Sequence, residues 1–380
     1  MKPGAAQRLH TLWCHLAATA APVAATTDAE PTYSPHDAEF VRHTAVPRFE
    51  PGSADATDFF EREGFCVFKS VLTPGQASHT LRLLWKFLEA QGTGVRRGLP
   101  STWADDDWSP SGGNPGLHSG YGLAQSEAAW FVRGQKRVQR VWAGVFGVPT
   151  GELICSFDGI AALRPSGLNR DWATNAGNFH IDGARQNGGF DPGARAYCQG
   201  LVNLVPTAPN RAGNVVVPRS HRRYQKLARQ YSKDGLKPDC QLIVDKYPQE
   251  LRGAIRAQMQ AGDALIWDDR TIHGSGPGIG PGPTEPELER AAVLVSMYPR
   301  ARARPAVLAS RVRAIEFGWS GGGGGWCGHN QLYETNGNQG GGGRSGPWPE
   351  ENVARWKRGL NPRFAIRGPP TLTPEQRAVV

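Results

Sequence analysis

Chemistry enters this sequence at Asn178-Phe179-His180-Ile181-Asp182-Gly183. On an extended strand, side chains two apart lie on one face. His180 and Asp182 would then present an imidazole nitrogen and a carboxylate oxygen to one point. That is two of the three groups in the 2-His-1-carboxylate face that holds non-heme Fe(II) and leaves positions open for a cosubstrate and O₂. A His-x-Asp pair also arises by chance in a chain with ten histidines. The third ligand therefore carries the argument.

That ligand must come from a separate strand, and two histidines are candidates. His221 follows Val215-Val216-Val217, and His273 follows the apolar run from Gly262 to Trp267. Only His273 has a fitting sequel: Gly274-Ser275, a Gly/Pro-rich loop, then Arg290 leading into Ala291-Ala292-Val293-Leu294-Val295. A cosubstrate with a distal carboxylate needs a planar, permanently charged fork at the far end of its pocket, and Arg supplies one. Arg290 is placed for that role; Arg300, at the other end of the same apolar stretch, is the alternative.

The elements that must position these residues can be read from pattern. Phe65-Cys66-Val67-Phe68 reads as a buried strand. Thr73-Pro74-Gly75-Gln76 has the cap, first-turn proline and third-position Gln of a helix start, and Leu81, Leu84, Trp85 and Leu88 follow at helical spacing. Residues 92 to 124 read as a long loop with Trp103, Trp108, His118 and Tyr121, a lid or substrate loop by its length. A second helix is expected over 127 to 146. Strands are expected at 153–157, 160–163, around His180, at 196–205, 214–217, 263–267 and 291–298, punctuated by turn residues as in a sandwich or barrel. Arg222, Lys226, Arg229 and Lys233 would share one face of a helix over 222–233.

Composition bounds the rest. The chain has 380 residues, 48 Gly and 30 Pro, with 39% hydrophobic content and a net charge of +9. No run approaches the ~20 apolar residues of a spanning helix, and the excess of Gly and Pro suits a β architecture with long excursions. Six scattered cysteines without a Cys-x-x-Cys suit a reducing compartment, not a disulfide or zinc framework. The positive charge serves solubility or attraction to an anionic ligand.

Three segments are expected: an irregular N-terminal stretch over 1–56, a catalytic domain over 57–300, and a Gly-rich C-terminal extension over 301–380 packing on that domain. Residues 1–27 contain no Asp or Glu. Within them Arg8-Leu9, five residues, and His15-Leu16 resemble an N-terminal peroxisomal address; otherwise a cytoplasmic or organellar location is expected.

Taken together, His180-x-Asp182, Gly213 through His221, Gly262 through Trp267, His273-Gly274-Ser275-Gly276-Pro277 and Arg290 resemble the phytanoyl-CoA dioxygenase family. Glu63-Gly64-Phe65 and the capped helix through Leu88 extend the resemblance over about residues 57 to 300. It implies a mainly β fold with flanking helices, a double-stranded β-helix of jelly-roll, cupin-like form. It implies an Fe(II)- and 2-oxoglutarate-dependent dioxygenase using O₂, with ascorbate as an accessory reductant. His180, Asp182 and His273 would be the iron ligands and the catalytic centre. Arg290 would bind the distal 2-oxoglutarate carboxylate with help from Ser275, and His221 would take a structural turn position. The family more often has Gly where Arg219 stands, and the loop before Arg290 is longer than usual. Because related halogenases lack the carboxylate, Asp182 points to hydroxylation of an aliphatic C–H in a small organic substrate, an acyl-CoA being one candidate. The competing readings are a nucleic-acid-modifying oxygenase, for which no recognisable binding motif is found, and a non-catalytic jelly-roll binding protein.

Overall fold

Thr73 accepts a hydrogen bond from the Gln76 backbone while the Gln76 side chain accepts from the Thr73 N–H, and Pro74 occupies the first helical position. This reciprocal cap launches one of the helices that flank two β-sheets in the computed structural model. The structure describes residues 41–90, 93–108, 116–118, 123–174, 177–181, 198–233, 248–303, 305–316 and 370–380. The proposed address at 8–16, Asp182, and the glycine runs at 321–325 and 340–343 lie outside them.

In chain order the strands are β1 (Arg42–Thr44), β2 (Arg48–Phe49), β3 (Phe65–Phe68), β4 (Leu117–His118), β5 (Leu153–Cys155), β6 (Ile160–Leu163) and β7 (Gly177–His180). They continue with β8 (Cys198–Asn203), β9 (Gly213–Val216), β10 (Ile255–Ala257), β11 (Ala264–Asp268), β12 (His273–Gly276), β13 (Arg290–Leu294) and β14 (Met297–Pro299). The helices are α1 (Ala54–Glu63), α2 (Pro74–Glu89), α3 (Asp105–Trp108), α4 (Glu127–Arg133), α5 (Lys136–Phe146), α6 (Tyr224–Lys233) and α7 (Pro305–Glu316), with a last turn at Pro374–Arg377.

The minor sheet runs β1-β10-β9-β12-β7. The major sheet runs β2-β3-β11-β8-β13-β6-β4, with β14 and β5 joined at β8. Pairing is antiparallel except at the edges, where β1 runs parallel to β10 and β2 to β3. This is the expected double-stranded β-helix, mainly β with flanking helices.

Alternation along the strands separates inside from outside. On the minor sheet Val215, Val217, Phe179 and Ile181 face outward and bury against Tyr224 and Leu227 of α6. Val216 belongs instead to the main core. Burying a side chain such as Leu227 stabilises by about 1.5–3 kcal/mol, so α6 is held to the sheet by its apolar face and turns Lys226 and Arg229 to solvent, with Arg222 exposed in the turn before it.

Four differences from the sequence reading have physical causes. The folded unit starts before residue 57, because β1 and β2 pair with strands of both sheets. Arg48 clamps β2 through two bonds to the fully buried Asp263, at 2.9 Å each. The helix expected over 127–146 breaks at Gly134-Gln135, where a Cβ on Gly134 would lie 2.8 Å from Gln376 of the docked C-terminal turn. The strand expected over 291–298 is split into β13 and β14, and the break is held by reciprocal bonds between Ser156 and Ser296. Finally, His273–Gly276 is a strand and not the start of a loop. Three of its residues are Gly or Ser, so no apolar alternation announces it.

The described part of the long loop is tied down. Trp103 and Trp108 are buried and pack with Trp85 and Trp172, and Arg164 holds the Trp103 carbonyl at 2.6 Å. At the other end of the chain, Leu372 and Val379 are buried and the Cys155 N–H donates to the Val379 carbonyl at 2.8 Å. Arg311, also buried, donates to the carbonyls of Val380 and Cys155.

Candidate active site

Register places the site. His273 on β12 lies directly opposite His180 on β7 and opposite Val216 on β9, and Ser275 lies opposite Asn214. Directly opposed residues in an antiparallel pair share a face. His180, His273, Ser275 and Asn214 therefore share the inner face with Val216. The two imidazole centroids are 4.3 Å apart at 54°.

His273 is buried, and its Nδ1 lies 2.9 Å from the Thr271 carbonyl oxygen. A carbonyl only accepts, so Nδ1 carries the proton and Nε2 is the lone-pair nitrogen. This orientation of a ring by a backbone carbonyl is how a metal-binding histidine is commonly held. Trp267 packs beside it, with ring centroids 5.1 Å apart, and the indole N–H donates to Gln199 Oε1 at 3.1 Å.

On the major sheet, Leu163 of β6 pairs with Arg290, and Ala292 two positions on pairs with Asn203. Arg290 points inward and reaches across the gap between the sheets, Nη1 to Ser275 Oγ at 3.5 Å. It is buried, and among the described residues it has no carboxylate partner. Burial, with Arg256 nearby as a second cation, pushes its pKa down to about 10, so it stays charged at neutral pH. A dry guanidinium without an acid is costly to keep. It makes sense as the receptor for an anion. The nearest acid in sequence, Glu289, is occupied by the Ser166 N–H and hydroxyl and the Ala212 N–H.

The structure thus brings His180, His273, Ser275 and Arg290 together. Asp182 lies outside the described residues, and among those described no group of three His, Cys, Asp or Glu forms a metal cluster. The donor set fits the iron and 2-oxoglutarate that the fold implies: paired imidazoles, one with an assigned lone-pair nitrogen, and a buried fork two strand positions deeper. Arg300, the alternative fork, instead donates to the Ala378 carbonyl at 2.8 Å. His221 sits elsewhere, with Nε2 donating to the Glu61 carbonyl at 3.1 Å, and burial lowers its pKa. Next to it Gly64 ends α1 at φ 79°, and a Cβ there would lie 2.3 Å from His221 Nδ1.

Three residues near the site escaped the sequence reading. Thr271 is two before His273, and Asn214 is two before Val216, so alternation alone could have put each on the right face. Trp267 closes the apolar run and could have been read as lining.

Comparison with known proteins follows the same lines. A family model described as phytanoyl-CoA dioxygenase matches residues 168–283. Ava biosynthesis cluster protein O of Aspergillus versicolor is 24% identical over 237 residues, 58% of this chain and 71% of that protein. A putative phytanoyl-CoA dioxygenase of Dictyostelium discoideum is 22% identical over 257 residues, 57% of this chain and 69% of that one. Among solved structures, the non-heme alpha ketoglutarate dependent carbocyclase SnoK from nogalamycin biosynthesis is 15% identical with a TM-score of 0.44, covering 65% of this chain and 83% of its own.

Proposed function

We propose that the chain, whose residues 168–283 match the phytanoyl-CoA dioxygenase family model, is an Fe(II)- and 2-oxoglutarate-dependent oxygenase that hydroxylates an aliphatic C–H of a small organic substrate. The observation that carries the reading is Arg290, a buried guanidinium with no acid partner among the described residues, set beside Ser275 on the face shared with His180 and His273. A 2-oxo dicarboxylic acid matches that layout, with its oxo acid end at the histidines and its distal carboxylate at the arginine.

Iron held by His180, Asp182 and His273 would supply O₂ activation coupled to decarboxylation of 2-oxoglutarate to succinate and CO₂. The protein's part is positional. Arg290 and Ser275 anchor the distal carboxylate by charge-assisted hydrogen bonds. The Thr271 carbonyl keeps the proton of His273 on Nδ1 and so leaves the lone pair on Nε2. Trp267 walls the histidine side and limits water there.

The test is a screen of succinate release across small organic acids, alcohols and acyl-CoA thioesters, with Fe(II) and 2-oxoglutarate supplied. Substrate-stimulated succinate formation that stops without 2-oxoglutarate supports the reading. Absence of any iron-dependent 2-oxoglutarate turnover sinks it.

An acyl-CoA substrate has one feature in its favour. Arg222, Lys226 and Arg229, with Gln225 and Gln230, line an exposed depression on α6, where phosphates would be met by opposite charge. A thioester substrate whose KM rises steeply with salt would support it. We also propose that residues 8–16 direct the chain to peroxisomes; a reporter fused to residues 1–30 that stays diffuse would remove that proposal.

A further inference from the structure

We infer that Asn214 supplies a third donor to the anion cradle of Arg290 and Ser275 and makes the site selective for 2-oxo acids that end in a second carboxylate. The inference rests on the 2-oxoglutarate reading and adds a residue to it. Asn214 sits directly opposite Ser275 in the β9–β12 pair, so both side chains rise from the same inner face. It lines one cavity together with Arg290, Asn203, Thr207 and Glu289. Its Nδ2 is shielded from solvent and makes no hydrogen bond among the described residues.

The other polar groups of that cavity are engaged. Glu289 accepts from Ser166 and Ala212. Asn203 directs its amide nitrogen to Met259 Sδ at 3.9 Å, and the Thr207 hydroxyl lies 3.3 Å from the Ala257 and Met259 carbonyls. Among the described residues Asn214 Nδ2 is therefore a solvent-shielded donor without an acceptor, in one cavity with a buried cation without an anion. One carboxylate resolves both, because its two oxygens together accept about four hydrogen bonds. Arginine's fork, the serine hydroxyl and the asparagine amide then surround it. A neutral tail in the same place would leave donors unpaired, which is how such sites reject analogues.

Asn214 is a binding residue in this scheme, and the experiment reads binding, not turnover. The Mn(II)-loaded full chain is titrated anaerobically by calorimetry with 2-oxoglutarate and, as a probe lacking the distal carboxylate, with 2-oxovalerate. Asn214→Ala should weaken 2-oxoglutarate about tenfold, as expected for one lost hydrogen bond to a charged group, and leave 2-oxovalerate unchanged. Asn214→Asp should weaken 2-oxoglutarate by at least a further ~10-fold, since it sets an anion against the ligand and beside Arg290. Asn214→Ser, with intermediate affinity expected, serves if the alanine variant does not fold. Unchanged 2-oxoglutarate affinity in Asn214→Ala with a lowered Tm would overturn the inference and make the amide a structural, water-bound group. Equal loss for both ligands would overturn it too. Arg290→Ala is the separating control: if it loses 2-oxoglutarate while Asn214→Ala does not, only the Asn214 assignment falls, and if the wild-type protein does not bind 2-oxoglutarate, the underlying reading falls.

Discussion

His180 and His273 are directly paired residues on neighbouring antiparallel strands, and their rings meet at a centroid separation of 4.3 Å. Neither ring's position depends on a loop. His180→Ala and His273→Ala should each abolish iron-dependent 2-oxoglutarate turnover and lower Fe(II) or Co(II) occupancy, measured by metal analysis after gel filtration. Wild-type occupancy in either variant would remove that histidine from the ligand set.

Arg290→Ala should raise the 2-oxoglutarate KM by at least ~10-fold while metal loading stays near wild type, because hydrogen bonds to charged groups are worth roughly 1.5–3 kcal/mol each. Arg290→Lys should recover only part, since a point charge does not reproduce the fork. Arg300→Ala provides the contrast. Its guanidinium holds the Ala378 carbonyl, so its loss should show in Tm and not in KM.

Arg219 stands at φ 63°, in the left-handed region that glycine adopts without strain. It is clipped there by two bonds to Glu63, Nε to Oε2 and Nη2 to Oε1, each 2.9 Å. Arg219→Gly removes the clip together with the strain; Arg219→Ala removes the clip alone. The alanine variant should therefore melt below the glycine variant, by roughly 2–4 °C from backbone strain. Equal melting temperatures would show that the turn is not strained.

Acid should destabilise the fold in two stages. Burial lowers the His221 pKa below its ordinary 6.5, and burial with Arg256 nearby lowers that of His43. The unfolded chain then takes up protons first, and stability falls as pH drops below about 6.5. The Glu63 carboxyl is lowered chiefly by its hydrogen bond from Arg219, so its contribution is present above the ordinary carboxylate range and is lost on further acidification. Urea midpoints across pH 7.5–5 should fall for wild type and fall less for His221→Gln. An undiminished slope in that variant would assign the first stage to His43.

Much of this was legible because chemistry and periodicity coincided. The capped start of α2, the apolar run of β11, and the sequence of His273, Ser275 and Arg290 all carry local signals. β1 and β2 were not legible, since two or three residues of mixed polarity become strands only when a distant edge pairs with them. Nor was β12, whose glycines and serine are set by the two strands around it. Alternation within β9 puts Asn214 on the inner face but gives it no role. Its meaning comes entirely from what lies opposite, and no spacing rule within β9 reveals a partner on β12.

The pairing of β1 with β10 joins Arg42 to Ile255, and the clamp on β2 joins Arg48 to Asp263. Seen from the ribosome, β1 has no partner strand, and Arg48 no carboxylate to clamp, until more than two hundred further residues have been made, a wait of about 10–40 s at ~5–20 residues per second, whereas β2 meets β3 early. His180 likewise emerges long before His273. The proposed reaction centre is thus finished late in synthesis, and a nascent chain shorter than about 275 residues lacks the His180–His273 pair on which that proposal rests. Slow closure of such distant pairs is the kinetic cost of this topology. It also means that a chain stalled part-way is a chain without the means to activate oxygen.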